Sequence, residues 1–535
     1  MPKKFLLSCT AIVAVVLSGI HLNAQAKNLE ISESKKEVSN ETYEIIHAKK
    51  GSQIIGKHLT IIGNKKTNTN ISTNTHAITA EGSNTTIELL DGTTIKGTGS
   101  SIFFGLVAKD GATLKMTGGT ITVSNTGAKF LNSKNAENKL KDIIISSGKG
   151  KAPLNFAIVA DKDSEITLEN LKVSKAMNSV VANNQSKVTI SGGSFDAKGA
   201  SIHALSSGTI TLTNNAQITS SDNVDLYAEG SKAKITITGG NITGKDAALS
   251  ATKGGHIQVT DVSLKIINSP TFTVNAYNSD TIIELLGNTT ISGDGGGLFA
   301  KDNAMIKMTG GSINASYIGA SFNNSKNAGN KLKDIIISSG KGKAPLSGGV
   351  FAYNGSQVTL ENVKVTKAMN SVTANNKSEI TVLGGSFDAT KAAISAYNGS
   401  RITLTNNVQA TSSHGTGLHA TDSETTIEMT GGSVITEKMA LVAENGGHIK
   451  VTDVALTATN DKIGTVVAGG PNSMIELHGN TTIKNAVVGL HAQNSEMIKM
   501  IGGTITASET GAGFYNSKSD ENKLENVKIS SSNDK

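Results

Sequence analysis

Ile166-Thr167-Leu168-Glu169-Asn170-Leu171-Lys172-Val173 alternates apolar and polar residues, turns at Asn170, and resumes with a second short apolar pair. Ile166, Leu168, Leu171 and Val173 then face one way. Alternation with a period of two over a few residues builds short half-buried strands, because a helix would bury every third or fourth position. Val188–Phe195 and Ile235–Ile242 repeat the pattern around Gly192-Gly193 and Gly239-Gly240. A third alternation lies about ten residues upstream of the turns, as in Ile202 with Ala204, Leu226 with Ala228 and Leu418 with Ala420. Turns fall at Gly118-Gly119, Asp142, Asn170, Gly192-Gly193, Asn214-Asn215, Gly239-Gly240, Asp261, Gly287 and Gly310-Gly311, eight intervals in 192 residues and 24 on average. Three short strands per 24 residues make one coil of a parallel β-helix, each coil bonded to the next ~4.8 Å away. Gly and Asn suit its corners, where a left-handed backbone is required. From about Thr60 to Ser530 there is room for roughly 20 coils and a rod ~90 Å long. Left-handed versions are built on hexapeptides in 18-residue coils, so the spacing favours an all-β, right-handed solenoid.

A longer repeat encloses the short one. Asn138–Leu154 recurs identically as Asn330–Leu346, and a diverged copy starts at Asn522-Lys523-Leu524. Ala176–Val180 returns at Ala368–Val372, and Gly254-Gly255-His256 at Gly446-Gly447-His448, again after 192 residues. One break appears: Ile87-Glu88-Leu89-Leu90 reaches Ile283–Leu286 after 196. The chain therefore holds about two and a half copies of a module. Rival solenoids fail on particulars. There is no L-x-x-L-x-L frame, no Trp to mark propeller blades, and only one echo of a calcium-binding roll, Gly293-Asp294-Gly295-Gly296-Gly297.

Three regions are expected. Met1–Ala26 reads as a secretory signal peptide, with Lys3 and Lys4, an apolar core over Phe5–Ile20, and Ala24-Gln25-Ala26 as cleavage site. That core is short for a membrane span. Residues 27–63 fit the frame poorly and are expected to lead into and cap the solenoid. Residues 64–535 form the β-helix, uncapped at its C-terminal end, where an open parallel edge invites end-to-end association of an otherwise monomeric rod.

The sole cysteine, Cys9, lies in the signal peptide, so the mature chain is expected to carry no disulfide and to rely on its repetitive core. Without Lys3 and Lys4 it holds 48 basic and 43 acidic residues, a net +5. Arg401 is the only arginine, and aromatics are 4% of the chain. A nucleic-acid surface would cluster arginine between aromatic side chains, so no nucleic-acid partner is expected.

Some parallel β-helices act on polysaccharides, which makes carboxylates the first chemical candidates. Glu88, Glu284 and Glu476 hold one place in three copies, and Asp196 matches Asp388. A glycosidase needs two carboxyls ~5 to 9.5 Å apart, whereas copies of one position lie eight coils, ~38 Å, apart. Pectin-degrading enzymes carry Asn-Thr-Asp, Asp-Asp, a Ser- or Gly-His-Gly and Arg-Ile-Lys in that order. Here only Ser413-His414-Gly415 matches, and Arg401-Ile402 precedes it. His256 and His448 follow Gly-Gly pairs and read as turn residues. Asn170, Asn362 and Asn526 read as corner residues bonding along the stack. The expectation is a protein that is not an enzyme, with no catalytic, cofactor-binding or metal-binding residue and no cofactor.

Coils such as Leu114-Lys115-Met116-Thr117-Gly118-Gly119-Thr120-Ile121, together with the signal peptide and the cysteine-free solenoid, resemble the passenger domain of a type V autotransporter. The Asn-Lys-Leu-Lys-Asp-Ile segments and the Lys/Asn/Thr-rich style are similar to the inducible autotransporter passengers of Bartonella. The resemblance implies export through the Sec pathway to the bacterial cell surface, outer-membrane-associated or extracellular, and contact with a host. The C-terminal barrel of that family is missing from this sequence, which ends at Asn533-Asp534-Lys535. The expected function is an adhesin engaging host matrix, a receptor or a surface glycan through outward Thr, Lys, Asn and Ser. The alternatives are a structural or antigenic stalk, a truncated recombination cassette, or a β-helix lyase or glycosidase. Ser101–Gly105 and Pro270–Val274 interrupt the frame and are set apart as candidate special regions.

Overall fold

The computed structural model describes residues 27–63, 75–97, 103–134, 137–148, 150–340, 342–460, 463–493, 496–516 and 522–532. The signal-peptide assignment for Met1–Ala26 lies outside the described residues. Within them, strands pair in parallel with their counterparts one coil away. Face 1 runs through Glu165–Glu169, Lys187–Ser191, Thr209–Thr213 and Lys234–Thr238. Face 2 runs through Ser194–Ala197, Gln217–Ser220 and Asn241–Gly244. Face 3 runs through Ile202–Leu205, Val224–Glu229 and Ala247–Thr252. The chain visits the faces in that order and then climbs one coil, winding a solenoid of about twenty coils. Residues 27–63 belong to the same stack, with Lys27–Ser32 on Thr42–Lys49 and Lys35–Ser39 on Gln53–Lys57.

Coil length is not uniform. The inward column of face 1 runs Met116, Leu140, Leu168, Ile190, Leu212, Ile237, Val259, Leu285, Met308. Its successive steps are 24, 28, 22, 22, 25, 22, 26 and 23 residues. The same steps in the same order lead from Met308 to Met500. The 24-residue period is thus an average, and the duplicated unit is eight coils with a fixed order of lengths. Extra residues are placed at corners, and the strands keep register.

Inside, Ile, Leu and Val columns of faces 1 and 2 meet a column of alanines on face 3, Ala204, Ala228, Ala251, Ala276 and Ala300, all buried. Phe130 and Phe322 interrupt it, 192 residues apart and fully buried.

The corner between faces 1 and 2 uses left-handed backbone. Asn170 and Asn362 both have φ of 51° and Asn526 has 55°. The Asn170 amide donates to Asp142 Oδ1 at 2.8 Å, and Asn362 to Asp334 Oδ1 at 2.9 Å, which is the expected bond along the stack. At the corner between faces 3 and 1 a buried serine ladder replaces it. Ser378 Oγ accepts the Ser356 N–H at 3.2 Å, Ser400 Oγ accepts that of Ser378 at 3.1 Å, and Ser378 Oγ donates to Asn375 O. At the long 28-residue coil the buried Asn330 staples three coils. Its Oδ1 accepts the Ile306 N–H at 3.0 Å, and its amide donates to Ser325 Oγ at 2.8 Å and Gln357 O at 3.1 Å. Asn138 does the same in the first module. That buried amide gives the recurrent Asn-Lys-Leu a structural role.

Candidate binding face

The carboxylates singled out by sequence stand on outward positions. Glu88, Glu284 and Glu476 share one column of face 1. Glu284 Oε2 lies 3.3 Å from His256 Nε2, and Glu476 Oε2 lies 3.4 Å from His448 Nε2 and 3.9 Å from His478 Nε2. Burial holds His256 below its ordinary pKa against the pull of Glu284. These are cross-coil ion pairs at most, and copies eight coils apart do not meet. Asp196 accepts Thr219 Oγ1 at 3.0 Å on face 2. Asp388 and Ser413 join two surface grooves of about 430 and 360 Å³. His414 is exposed at the corner between faces 2 and 3, while Arg401 lies on face 1 paired with Glu428 at 3.4 Å. The structure therefore does not bring Arg401 and His414 together. Asp294 of the glycine-rich echo is held by Lys343 Nζ at 2.7 Å, which lowers its pKa. Among the described residues no three His, Cys, Asp or Glu side chains are grouped to hold a metal ion.

Sequence reasoning missed face 3. Its outward positions were expected to carry Thr, Lys, Asn and Ser. Instead Phe104, Phe156, Phe272, Phe299 and Phe351 all project there, with Tyr227, Tyr277, Tyr353, Tyr397 and Tyr515. The described strands of faces 1 and 2 present no outward Phe or Tyr. The only available signal was the residue between or just after the inner pair, as in Leu298-Phe299-Ala300 or Ile394-Ser395-Ala396-Tyr397.

The aromatics are densest from Phe272–Tyr277 through Gly296–Lys301, Ile318–Asn323 and Leu346–Tyr353 to Thr416–Thr421. Phe272 stacks on Phe299 with centroids 5.0 Å apart and planes at 19°, and Tyr277 meets Phe299 edge-on at 5.8 Å. Phe351 meets Tyr353 at 5.5 Å and Tyr397 meets His419 at 5.6 Å, both edge-on. Such geometries satisfy the ring quadrupoles. Phe272 and Phe351 lean over glycines of this face. A Cβ at Gly348 would come within 2.1 Å of the Phe351 ring, and one at Gly296 within 2.3 Å of Phe272.

Between the rings stand Asn275, Ser321, Asn323, Thr373, Asn375, Ser395 and Thr421. Ser395 is buried and its hydroxyl has no hydrogen-bond partner. Burial pushes the Tyr353 hydroxyl up to about 12 and raises that of Tyr277, so both remain neutral. Outward charge on this stretch is sparse: Lys301 lies 3.9 Å from Asp302, and His419 Nε2 lies 3.3 Å from Glu444 Oε2. Pro270–Val274, set apart by sequence, is the entry to this stretch.

The two modules differ here. Val107, Val159, Asp161 and Leu205 occupy the places of Phe299, Phe351, Tyr353 and Tyr397, while Glu169, Phe195 and Asp196 match Glu361, Phe387 and Asp388. A family profile described as a right handed beta helix region matches residues 272–434, and its hand is the one expected from coil length. No curated protein and no solved structure matches the chain.

Proposed function

We propose that this right-handed β-helix is an exported, surface-displayed or shed interaction protein, an adhesin of the autotransporter-passenger type, whose ligand lies against face 3. The reading is supported above all by one observation: among the described strands, outward Phe and Tyr side chains occur on face 3 and on neither of the other two faces. Half-buried aromatic side chains gathered on one face form a surface suited to contact, and Tyr and Phe bring large contact area for little entropy on binding. The reading of residues 1–26 as a secretory leader and the resemblance to autotransporter passengers support export and contact with a host.

The test is attachment of the full mature chain to cultured animal cells and to matrix. A saturable isotherm, competed by unlabelled protein, is the expected result. A chain that attaches to neither is a stalk, and the reading falls.

A further inference from the structure

We infer that each module carries on face 2 its own binding site for an acidic saccharide, one served by Lys172 and Lys175 and its copy by Lys364 and Lys367. The two sites are separate from face 3 and do not depend on what covers it.

One outward column of face 2 reads Ile144, Lys172, Ser194, Gln217, and eight coils later Ile336, Lys364, Ser386, Gln409. Winding does not require these residues. The next two coils place Asn241 and Ser263 in the column, and their copies are Ser433 and Ala455. Face 3 has drifted further: in the same coils Val159, Val181, His203 and Leu205 have become Phe351, Thr373, Ser395 and Tyr397. Lys172, Ser194 and Gln217 also lie outside the identical run that ends at Leu154. Outward residues that persist while their surroundings change are kept by something the fold does not supply.

Between this column and the corner to face 1 lies a groove of about 550 Å³, lined by Asp142, Ile144, Asn170, Lys172, Asn215 and Gln217. All six recur 192 residues on. The Asp and Asn residues have positive φ and are kept by the corner itself, whereas Ile, Lys and Gln are not. At the opposite edge of face 2, a groove of about 430 Å³ holds Lys367, the copy of Lys175. Asp142 accepts the Asn170 amide, Asp334 that of Asn362, and Asp196 the Thr219 hydroxyl. Lys172, Lys175, Lys364 and Lys367 are exposed, and among the described residues their ammonium groups have no partner. Asp388 is the one carboxylate beside them that no side chain engages. Free cations thus outnumber free carboxylates at both copies, which selects an anionic ligand. Size selects its class. The repeated surface spans four strands and two outward columns, roughly 15 Å by 10 Å. A protein partner needs about 800 Å² per side and aromatic or Arg anchors, and roughly 150 Å² of Ile, Lys, Ser and Gln offers neither. A short run of sugar rings fits, with lysine on the acid group, amide and hydroxyl on ring hydroxyls, and isoleucine against a C–H face.

The full mature chain is titrated calorimetrically with tetragalacturonate and polygalacturonate, which offer carboxylates, and with a heparin tetrasaccharide and heparin, which add sulfate. Maltotetraose is the neutral counterpart and polyglutamate the acidic peptide. The expected result is that at least one acidic tetrasaccharide, too short to bridge ~38 Å, binds with two equivalents per chain and is weakened by salt. Its polymer is expected to bind at least tenfold tighter, because one chain engages both sites. K172A should leave one equivalent and remove the advantage of the polymer. K172A/K364A should bind at least tenfold more weakly with an unchanged circular dichroism spectrum, since both side chains are exposed. I144T/I336T installs the residue that Thr120 and Thr290 already place in the column, and should weaken binding without altering its salt dependence. A single equivalent in the wild type, or a K172A/K364A variant that binds as the wild type does, overturns the inference. So does maltotetraose binding as well as the acidic sugars. Binding of polyglutamate alone makes the partner a peptide and the saccharide falls, as it does if no acidic sugar binds.

Discussion

Asp225 lies in the wall of the solenoid with no exposure, and the nearby Ser220 hydroxyl, which donates to Asn223 O, only partly offsets the effect of burial on its carboxylate. Burial pushes its carboxyl up to about 8. The space it fills exists because Gly244 lies beside it; a Cβ there would fall 2.1 Å from Asp225 Oδ2. The second module has Gly417 and Thr436 at these two places, so the volume has been exchanged between partners. A folded-state pKa above the ordinary 3.8 means the native state holds the proton more tightly. Its stabilising effect is complete below the unfolded value and is lost as pH rises through about 8, amounting to several kcal/mol at the most. Thermal midpoints measured from pH 4 to 9 are expected to fall across this window in the wild type and to stay flatter in D225G/G244T. The single change G244T should be the least stable of the series, giving a large coupling in the double-mutant cycle. Equal slopes in wild type and double variant would remove Asp225 as the cause.

At the scale of elements, the corners decide which parts of the fold can be read in advance. The turn between faces 1 and 2 demands left-handed backbone, which favours Gly, Asn and Asp there, with His58 an exception, and leaves a visible period. Hence Asn170 and Asn362 were readable as corner residues that bond along the stack. The serine ladder was not, because serine is ordinary on surfaces and its role depends on the coil below. Ser378→Ala leaves the buried Ser356 N–H without an acceptor, at a cost of about 1–3 kcal/mol. The urea midpoint should drop, and hydrogen exchange at the Ser356 amide should accelerate more than at strand centres. Uniform acceleration along the rod would argue against a local bond. Face 3 was hidden for a related reason. Alternation told inside from outside, but aromatics at 4% of the chain look evenly scattered until each is assigned to a coil. Phe299, Phe351 and Tyr397 are separated by 52 and 46 residues in sequence, yet share one side of the rod.

For the whole molecule, parallel stacking without hinges predicts a rod. Solution scattering from the mature chain is expected to show a rod cross-section and a maximum dimension of ~90–110 Å; a compact particle near ~60 Å would be incompatible with one stack of coils. This much was legible from the 24-residue mean alone. The fixed order of unequal coils was not, because turn spacing locates corners only approximately while strand register counts every residue. That order has an evolutionary consequence. Coils of 22 to 28 residues differ in their corners, so exchanging one for another would set dissimilar corners against each other even though the strands keep register. Crossover at an eight-coil offset, where Asn138–Leu154 and Asn330–Leu346 are the same seventeen residues, would keep every corner beside its usual neighbour. Such an exchange would lengthen or shorten the rod by ~38 Å and add or remove a whole face 3, whose outward residues can diverge while the winding is kept.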